Sequence, residues 1–312
     1  MSQIGIPRAL YYFQYNRLWQ TFLGELGFQV VISPETNREI LNMGLLSSVD
    51  GFCLPMKIYM GHVQYLVKNG IDRIFVPQII SVRKKEYICP NFMGLPDLIA
   101  QSVPSDIEII SPTVDGRKGR KKLIGDYLSF GRIFAPLERV KFAWEKAEQA
   151  QAEYDLFCEN ITSIMAQKIN LLFLGPCYLT EDPFLNGDLI IELDSLGVHV
   201  ITQKQMNPEA IMEKQSLINK PLFWSGAKES FDTLNLYLDK IDGAVIVSPF
   251  GCGAQSLVNV LLNKCLQEHG TPNLELYLDE HSSSIGIQTR IEAFIDLLER
   301  KHYHENNLST SG

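Results

Sequence analysis

The chain has 312 residues, of which 46% are hydrophobic and 21% charged, a composition typical of a soluble globular protein with room for two domains. Its net charge of -8 argues against a general nucleic-acid-binding protein, because neutralising phosphates requires a basic face. No apolar run approaches the length of a membrane span, and residues 1–4 do not begin like a secretory signal peptide. We therefore expect a cytoplasmic protein that binds neither nucleic acid nor membranes.

In chain order, the first half alternates predicted strands and helices. Its Val- and Ile-rich segments predict strands at 4–6, 28–32, 73–76 and 107–111, the last of these ending the first half. An amphipathic helix after the first strand is predicted to end at Gly27, and the residues Thr36 to Glu39 form a capping box for the next helix.

Two cysteines of this half lie at predicted element boundaries. Cys53 precedes a helix that carries Pro55 in its first turn and runs to about Gly70. Cys89 lies in the long segment 78–96, which we expect to be an ordered loop with a functional role.

One basic run, Arg117–Lys122, follows the predicted strands of the first half. The simpler interpretation is a solvated loop. The alternative is a docking patch for an acidic partner or a phosphate.

An internal repeat links the two halves of the sequence. In three matches the residue numbers differ by the same offset, 170, and in a fourth they differ by 167. The matched pairs are Leu26–Ile32 with Leu196–Thr202, Ile71–Pro77 with Ile241–Val247, Gly5 with Gly175, and Ile107–Ile110 with Leu274–Tyr277. Chance similarity between Gly- and Val-rich strands is the alternative, but chance does not explain one offset across three elements.

The repeat predicts two copies of one α/β unit, each with about four parallel strands alternating with helices. We expect a first α/β domain at 1–122, a helical connector at 123–168, a second α/β domain at 169–304 and a flexible tail at 305–312.

Six cysteines, at positions 53, 89, 158, 177, 252 and 265, are scattered without a Cys-x-x-Cys pair. In a reducing cytoplasm they are not expected to form structural disulfides. A metal site would therefore have to be assembled from distant segments. Cys158 and Cys265 lie inside predicted helices, and we expect both to belong to the core.

Ligands of open parallel sheets bind beyond the carboxyl ends of the strands, which is where several cysteines are predicted to lie. Cys89 follows the strand 73–76, and Cys252 follows the strand that repeats it. Together with Cys53 they can converge in a cleft between the halves. Cys177 follows the first strand of the second half, and whether it joins them is open.

The loop around Cys252 is suited to a bound anionic group. Gly251 and Gly253 flank the cysteine and allow the backbone to approach a ligand closely. The predicted helix after the loop presents its N-terminus, which favours a thiolate or another anion.

Five motifs together resemble the acyl-CoA dehydratase activase-related proteins. The motifs are Ile4–Leu10, Cys53–Lys57 with Gly61–His62, Tyr87–Pro90, Ser248–Gly253 and Leu278–His281. These proteins belong to the 2-hydroxyacyl-CoA dehydratase and benzoyl-CoA reductase superfamily, which includes the double-cubane cluster proteins. The resemblance extends over nearly the whole chain.

The resemblance implies two Rossmann-like α/β domains that hold a [4Fe-4S] cluster in the cleft between them through Cys53, Cys89 and Cys252. Cys177 is a possible fourth ligand, and Gly251 and Gly253 would border the cofactor. The resemblance also implies a separate ATP-hydrolysing activator as the electron donor and a homodimer. Since the sequence contains no Gly-x-x-x-x-Gly-Lys-Ser/Thr motif, we expect it to be more like the cluster-bearing partner than the ATPase.

Further polar residues lie near these motifs. Lys57 and His62 share the helix that begins beside Cys53, and His281 follows a strand at its carboxyl end, so all three are candidate catalytic residues. For both histidines a structural role is the alternative. Arg8 follows the first strand and is a candidate anion ligand or one half of a salt bridge.

The function that the sequence favours is an iron–sulfur protein that takes part in low-potential electron transfer or reduction on a small-molecule substrate, resembling 2-hydroxyacyl-CoA dehydratase. Whether the chain is itself an enzyme stays open. The alternative is a cluster-free, two-lobed protein that binds a small anion or acts as a regulatory subunit. A zinc hydrolase ranks last because the sequence has no His-x-x-x-His pair.

Overall fold

The computed structural model describes residues 2–160, 169–206, 217, 222–282 and 284–309, without the side chains of 160, 284 and 302–309. Residues 161–168 of the predicted connector and 310–312 of the predicted tail lie outside this part. The chain folds into two compact units. The first comprises Met1–Cys158 and Lys220–Lys228, and the second comprises Glu159–Asn219 and Glu229–Gly312.

The first unit contains two parallel sheets. Its strands are β1 (Gln3–Ile6), β2 (Gln29–Ile32), β3 (Arg73–Phe75), β4 (Gln78–Ser81), β5 (Glu108–Ile110) and β6 (Thr113–Asp115). The main sheet has the order β2-β1-β3-β5, and β4 pairs with β6 in a separate two-stranded sheet. The helices are α1 (Tyr12–Glu25), α2 (Arg38–Ser47), α3 (Leu54–Lys68), α4 (Pro90–Met93), α5 (Leu95–Ser102), α6 (Arg120–Gly131) and α7 (Leu137–Asn160).

The second unit contains one four-stranded parallel sheet in the order β8-β7-β9-β10. Its strands are β7 (Asn170–Leu174), β8 (His199–Thr202), β9 (Gly243–Pro249) and β10 (Asn273–Leu278). The described helices are α8 (Cys177–Thr180), α9 (Pro183–Asn186), α10 (Leu189–Ser195), α11 (Ser225–Tyr237), α12 (Gly253–Glu268) and α13 (Ser284–Ser309), so the backbone of α13 continues into the predicted tail. The predicted α/β class with parallel sheets is confirmed.

Strand register tests the internal repeat. Gly5 of β1 pairs with Val31 of β2 and Ile74 of β3. In the second sheet the residue that occupies the same place is Leu172, which pairs with Ile201 and Ala244. The numbers of Val31 and Ile201 differ by the predicted offset, and so do those of Ile74 and Ala244. The offset of 170 therefore reflects a structural repeat in which β2 corresponds to β8 and β3 corresponds to β9.

Two of the matches are out of register. The counterpart of Gly5 is Leu172, at an offset of 167, so the predicted match of Gly5 with Gly175 is wrong. In the first sheet Ile109 of β5 pairs with Ile74, and in the second sheet Asn273 of β10 pairs with Ala244. Ile109 and Asn273 are therefore equivalent, and their numbers differ by 164, where an offset of 167 was predicted. Both errors arise because the sequence similarity of short apolar strands does not fix their register.

The segment 78–96 is not a continuous loop. It contains β4 and α4, and β4 pairs in parallel with β6, which lies beyond the predicted last strand of this half. The pairing sets Gln78 beside Thr113, which is remote in the chain, so the sequence of 78–81 does not show which segment the strand pairs with.

Helix boundaries follow local chemistry, with one correction. α1 is followed by Gly27, whose φ of +102° suits a glycine after a helix end, as predicted. The cap of α2 is Asn37, not Thr36: the Asn37 side chain accepts a hydrogen bond from the backbone N–H of Ile40 at 3.1 Å.

Helices α6 and α7, which the sequence predicted as part of a connector, pack on the first unit. Tyr127 of α6 and Trp144 of α7 both lie with their ring centres 5.8 Å from that of Phe22 on α1. Trp19 of α1 donates a hydrogen bond from Nε1 to the Tyr127 hydroxyl at 3.0 Å. Aromatic packing thus joins residues that are far apart in the sequence into one core.

The basic run forms a 3-10 turn, Gly116–Lys118, and the start of α6. Its charged side chains are exposed, as predicted, but it is not a loop. Arg117 pairs with Asp115 at 2.6 Å, and Arg120 pairs with Glu148 at 2.7 Å.

Within the described residues, no helix combines the length and apolarity needed to cross a membrane.

Candidate functional site

The three predicted ligand cysteines share one local setting: each is the residue immediately before a helix. Cys53 occupies the N-cap position of α3, Cys89 that of α4 and Cys252 that of α12. All three are thiols rather than disulfide sulfurs, and all three are partly exposed. The backbone N–H groups in the first turn of the longer helices α3 and α12 favour a negatively charged group near Cys53 and Cys252.

Cys53 is placed by the start of α3. The backbone N–H groups of Met56 and Lys57 donate to the carbonyl oxygen of Cys53 at 3.0 and 3.2 Å. Pro55 lies in the first turn, as predicted, where its missing N–H costs no hydrogen bond.

Cys89 lies in a segment that is held by a distant part of the chain. The backbone N–H of Tyr87 donates to the carbonyl oxygen of Phe223 at 2.6 Å, and the N–H of Ser225 donates to the carbonyl oxygen of Tyr87 at 3.1 Å. The guanidinium of Arg117 lies 5.7 Å from the centre of the Tyr87 ring. These contacts order the approach to Cys89, and no signal in the sequence pointed to 223–225 as its support.

Cys252 follows β9 after a tight turn, as predicted. Gly251 has a φ of +76°, which an L residue adopts only with strain. Ser256 donates to the carbonyl oxygen of Cys252 from both its backbone N–H, at 3.0 Å, and its hydroxyl, at 2.9 Å. A Cβ added at Gly253 would meet open space. The turn therefore needs glycine at 251 for its backbone angle, whereas position 253 has room for a Cβ.

A buried polar network supports the strand that leads to Cys252. The Nδ2 of Asn259 donates to the Ser248 hydroxyl at 2.6 Å and to a carboxylate oxygen of Glu275 at 3.3 Å. Asn259 and Ser248 are each 1% exposed. The network ties the end of β9 to α12 and β10, and sequence reasoning missed Asn259 because its partners lie on other elements.

Cys177 differs from the three cysteines at N-cap positions. It is the first residue of α8, not the residue before the helix. Burial raises the pKa of its thiol, as do the carboxylates of Glu229 and Glu181, while Lys204 acts in the opposite direction. These surroundings disfavour a free thiolate at Cys177.

The two remaining cysteines lie in helices, as predicted. Cys158 of α7 is 6% exposed and belongs to the core. Cys265 of α12 is half-buried, and burial followed by the nearby Glu268 raises its pKa.

His62 is fully buried on α3 between two hydroxyl groups. Its Nδ1 lies 2.9 Å from the Ser33 hydroxyl, and its Nε2 lies 3.0 Å from the Thr36 hydroxyl. Burial, with a smaller effect of Arg8, lowers the pKa of His62 to about 3, so the imidazole is neutral at pH 7. Both ring nitrogens therefore have hydrogen-bonding partners. This arrangement fits the structural role that the sequence analysis gave as the alternative to a catalytic role.

The other candidate polar residues have contrasting surroundings. Lys57 of α3 is 5% exposed. His281 is exposed, in a turn where its backbone N–H donates to Asp279 at 2.9 Å. Arg8 forms the salt bridge that was one of its two predicted roles, pairing with Glu35 at 2.8 Å. Catalytic roles for Lys57, His62 and His281 stay predictions.

Metal-ligating side chains are not gathered at one point within either described unit. Among the described residues, no group of three or more His, Cys, Asp or Glu side chains is close enough together to hold a metal ion. Cys53 and Cys89 belong to the first unit and Cys252 to the second. The donor chemistry of three thiols fits an iron–sulfur cluster, while their convergence stays a prediction.

Comparison with known proteins gives one family. The sequence model of the CoA enzyme activase uncharacterised domain (DUF2229) matches residues 3–206. No curated protein matches the chain. Six chains of solved structures match, among them the crystal structure of ZnuA. That match covers 96% of this chain and 98% of the other, with 10% identity and a TM-score of 0.28. Both the identity and the TM-score are too low to support an inference.

Proposed function

The chain belongs to the family of the CoA enzyme activase uncharacterised domain, and from this premise we propose that it is an iron–sulfur protein of low-potential electron transfer or reduction. Its small-molecule substrate would be of the kind handled by 2-hydroxyacyl-CoA dehydratases. The observation that carries the proposal is the shared setting of Cys53, Cys89 and Cys252, each a partly exposed thiol before a helix.

These cysteines are the residues that would hold a [4Fe-4S] cluster. When bound, such a cluster supplies one-electron transfer at low potential, and three thiolate ligands leave one iron open to a substrate. The proposal requires Cys252 of the second unit to reach the thiols of the first. Gly251 and Gly253 would border the cofactor, and Cys177 would become a fourth ligand only if it loses its proton.

The polar residues would serve the substrate. His281 is exposed and suited to exchange a proton with a bound molecule. His62 is neutral and holds two hydroxyl groups, so it would act by fixing the segment 33–36 unless these hydrogen bonds open. Lys57, on the same helix, would favour an anionic intermediate.

The proposed partner is a separate ATP-hydrolysing activator that delivers electrons, and the proposed assembly is a homodimer. Both follow from the resemblance to the dehydratase superfamily. Binding to an activator under anaerobic conditions, measured with and without ATP, tests the first. Sedimentation of the purified chain tests the second.

Reconstitution tests the cluster. The chain and its Cys53→Ala, Cys89→Ala and Cys252→Ala variants are treated with iron and sulfide without oxygen, and iron, sulfide and the EPR spectrum after reduction are measured. We expect each of the three variants to lose most of its iron, and Cys265→Ala, the matched control, to keep it. Cys177→Ala reports on the fourth ligand. Equal iron in all variants would remove the proposal.

A second candidate is a cluster-free protein that binds a small anion or acts as a regulatory subunit. Protein that stays colourless and iron-free after anaerobic purification, but melts at a higher temperature with a small carboxylate, would select this candidate.

A further inference from the structure

A cavity of about 470 Å³ lies within the first unit. Its lining comes from α1, from β4 and the residues after it, from β6 to α6, and from α7. None of the six cysteines is among its described lining residues. The volume falls within the range of small-molecule sites, about 300–1,000 Å³, and the proposed cluster does not use it.

One wall of the cavity is aromatic and fixed. Tyr15, Trp19, Tyr127 and Trp144 all line it. The ring centres of Tyr15 and Trp19 are 5.8 Å apart, and those of Tyr127 and Trp144 are 4.8 Å apart. The hydrogen bond from Trp19 to the Tyr127 hydroxyl joins the two pairs. Such a wall favours a flat, apolar molecule, because aromatic faces gain most from rings packed against them.

A buried donor on this wall has no acceptor in the described part of the chain. The indole Nε1 of Trp144 makes no hydrogen bond with any described residue, and only 5% of the residue is exposed. Trp144 lines the cavity, but its buried Nε1 exposes no surface there, so its contribution to the site is the face of its ring.

The cavity also has a charged side. Arg83, Lys84 and Arg120 line it, against the two carboxylates of Glu148 and Asp155. Arg120 is 78% exposed at its side chain and pairs with Glu148 at 2.7 Å. It is the first residue of α6, where the end of the helix adds partial positive charge. The three positive side chains outnumber the two carboxylates by one, so the lining favours a ligand with one negative group.

We propose that this cavity is a binding site for an aromatic molecule with a single anionic group. The anionic group is a carboxylate, a sulfonate or a phosphate. The rings pack against Trp19 and Trp144, and the anionic group faces Arg120 and its basic neighbours. The basic run of the sequence thus contributes to a ligand site through Arg120, whereas Lys121 does not line the cavity.

The probe for the test is 1-anilinonaphthalene-8-sulfonate, a two-ring aromatic monoanion, titrated into the folded full-length chain in a calorimeter. We expect saturable binding of one molecule per chain. The Arg120→Gln variant should bind about fivefold more weakly, the size expected for one exposed charge pair. Its matched control is Lys121→Gln, which neutralises the adjacent charge of the same run and should bind like the unchanged chain.

Filling the cavity gives an independent test. Leu123 lines the cavity and Leu128 of the same helix does not, so Leu123→Trp should abolish binding and Leu128→Trp should preserve it. Circular dichroism checks that both variants fold. The uncharged analogue N-phenyl-1-naphthylamine should bind more weakly than the sulfonate. Equal effects of Arg120→Gln and Lys121→Gln, or unchanged binding in folded Leu123→Trp, would overturn the proposal.

Discussion

Gly44 of α2 and Gly61 of α3 bring the backbones of the two helices into direct contact. A Cβ added at Gly61 would collide with the carbonyl oxygen of Ile40, and one added at Gly44 would collide with that of Lys57. Both obstacles are backbone atoms, which cannot move aside unless a helix shifts. The glycine pair therefore fixes α3, and with it Cys53 at the N-terminus of α3, against α2.

The Gly61→Ala substitution should lower the free energy of unfolding of the first unit by about 3 kcal/mol, the upper range for overpacking. Tryptophan fluorescence during urea unfolding measures it, because Trp19, Trp144 and Trp224 all belong to the first unit. Gly125→Ala on α6, where an added Cβ meets open space, is the control and should be neutral or slightly stabilising. Equal stability of the two variants would show that α2 and α3 do not touch through these glycines.

The buried His62 should make the first unit acid-sensitive. Its pKa is about 3 in the folded chain and near 6.5 when exposed, so the unfolded state binds more protons between these values. Stability from the neutral imidazole is complete above pH 6.5 and declines as the pH falls towards 3. Between pH 7 and pH 5 we expect a loss of about 2 kcal/mol from this group.

The measurement for His62 is tryptophan fluorescence during urea unfolding at pH 7 and pH 5. The His62→Gln variant removes the titrating group and should lose about 2 kcal/mol less than the unchanged chain over this interval. An unchanged pH dependence in His62→Gln would contradict the burial of this ring.

Asn37 should contribute as the cap of α2. Replacing it with Ala removes the acceptor for the Ile40 N–H and should cost about 1 kcal/mol of stability in the first unit. Asn37→Ser keeps an acceptor and should cost much less. If Ser and Ala were equally destabilising at 37, the helix would be capped elsewhere.

The two glycines beside Cys252 should respond differently to substitution. Gly251→Ala places a Cβ at a φ of +76° and should destabilise the second unit by about 1 kcal/mol. Gly253→Ala adds its Cβ in open space and should have little effect. Thermal unfolding followed by circular dichroism measures both, and a larger effect at 253 would contradict the turn geometry.

Much of the fold could be predicted from the sequence because strands and helix ends have local signals. Val31 and Ile201 occupy equivalent positions, and their spacing was visible in the sequence as a repeat of apolar patterns. Strand β4 was missed because its partner is remote, and Thr36 was taken for a cap because its hydroxyl is chemically suited to that role. The structure uses it to contact His62 instead.

The candidate site was predictable only in part. Glycine and proline neighbours marked the turns at Cys53 and Cys252, so their positions before helices were expected. The support of Tyr87 by 223–225 depends on backbone pairing between distant parts of the chain, which leaves no local trace in the sequence. The aromatic cavity likewise joins four separate segments that only the tertiary packing brings together.

We propose above all that Cys53, Cys89 and Cys252 hold an iron–sulfur cluster. Metal analysis of the protein purified entirely without oxygen tests it most directly. We expect about four iron atoms and as many acid-labile sulfides per chain, with an absorption that bleaches in air. A colourless protein without iron or sulfide after such a purification would contradict it.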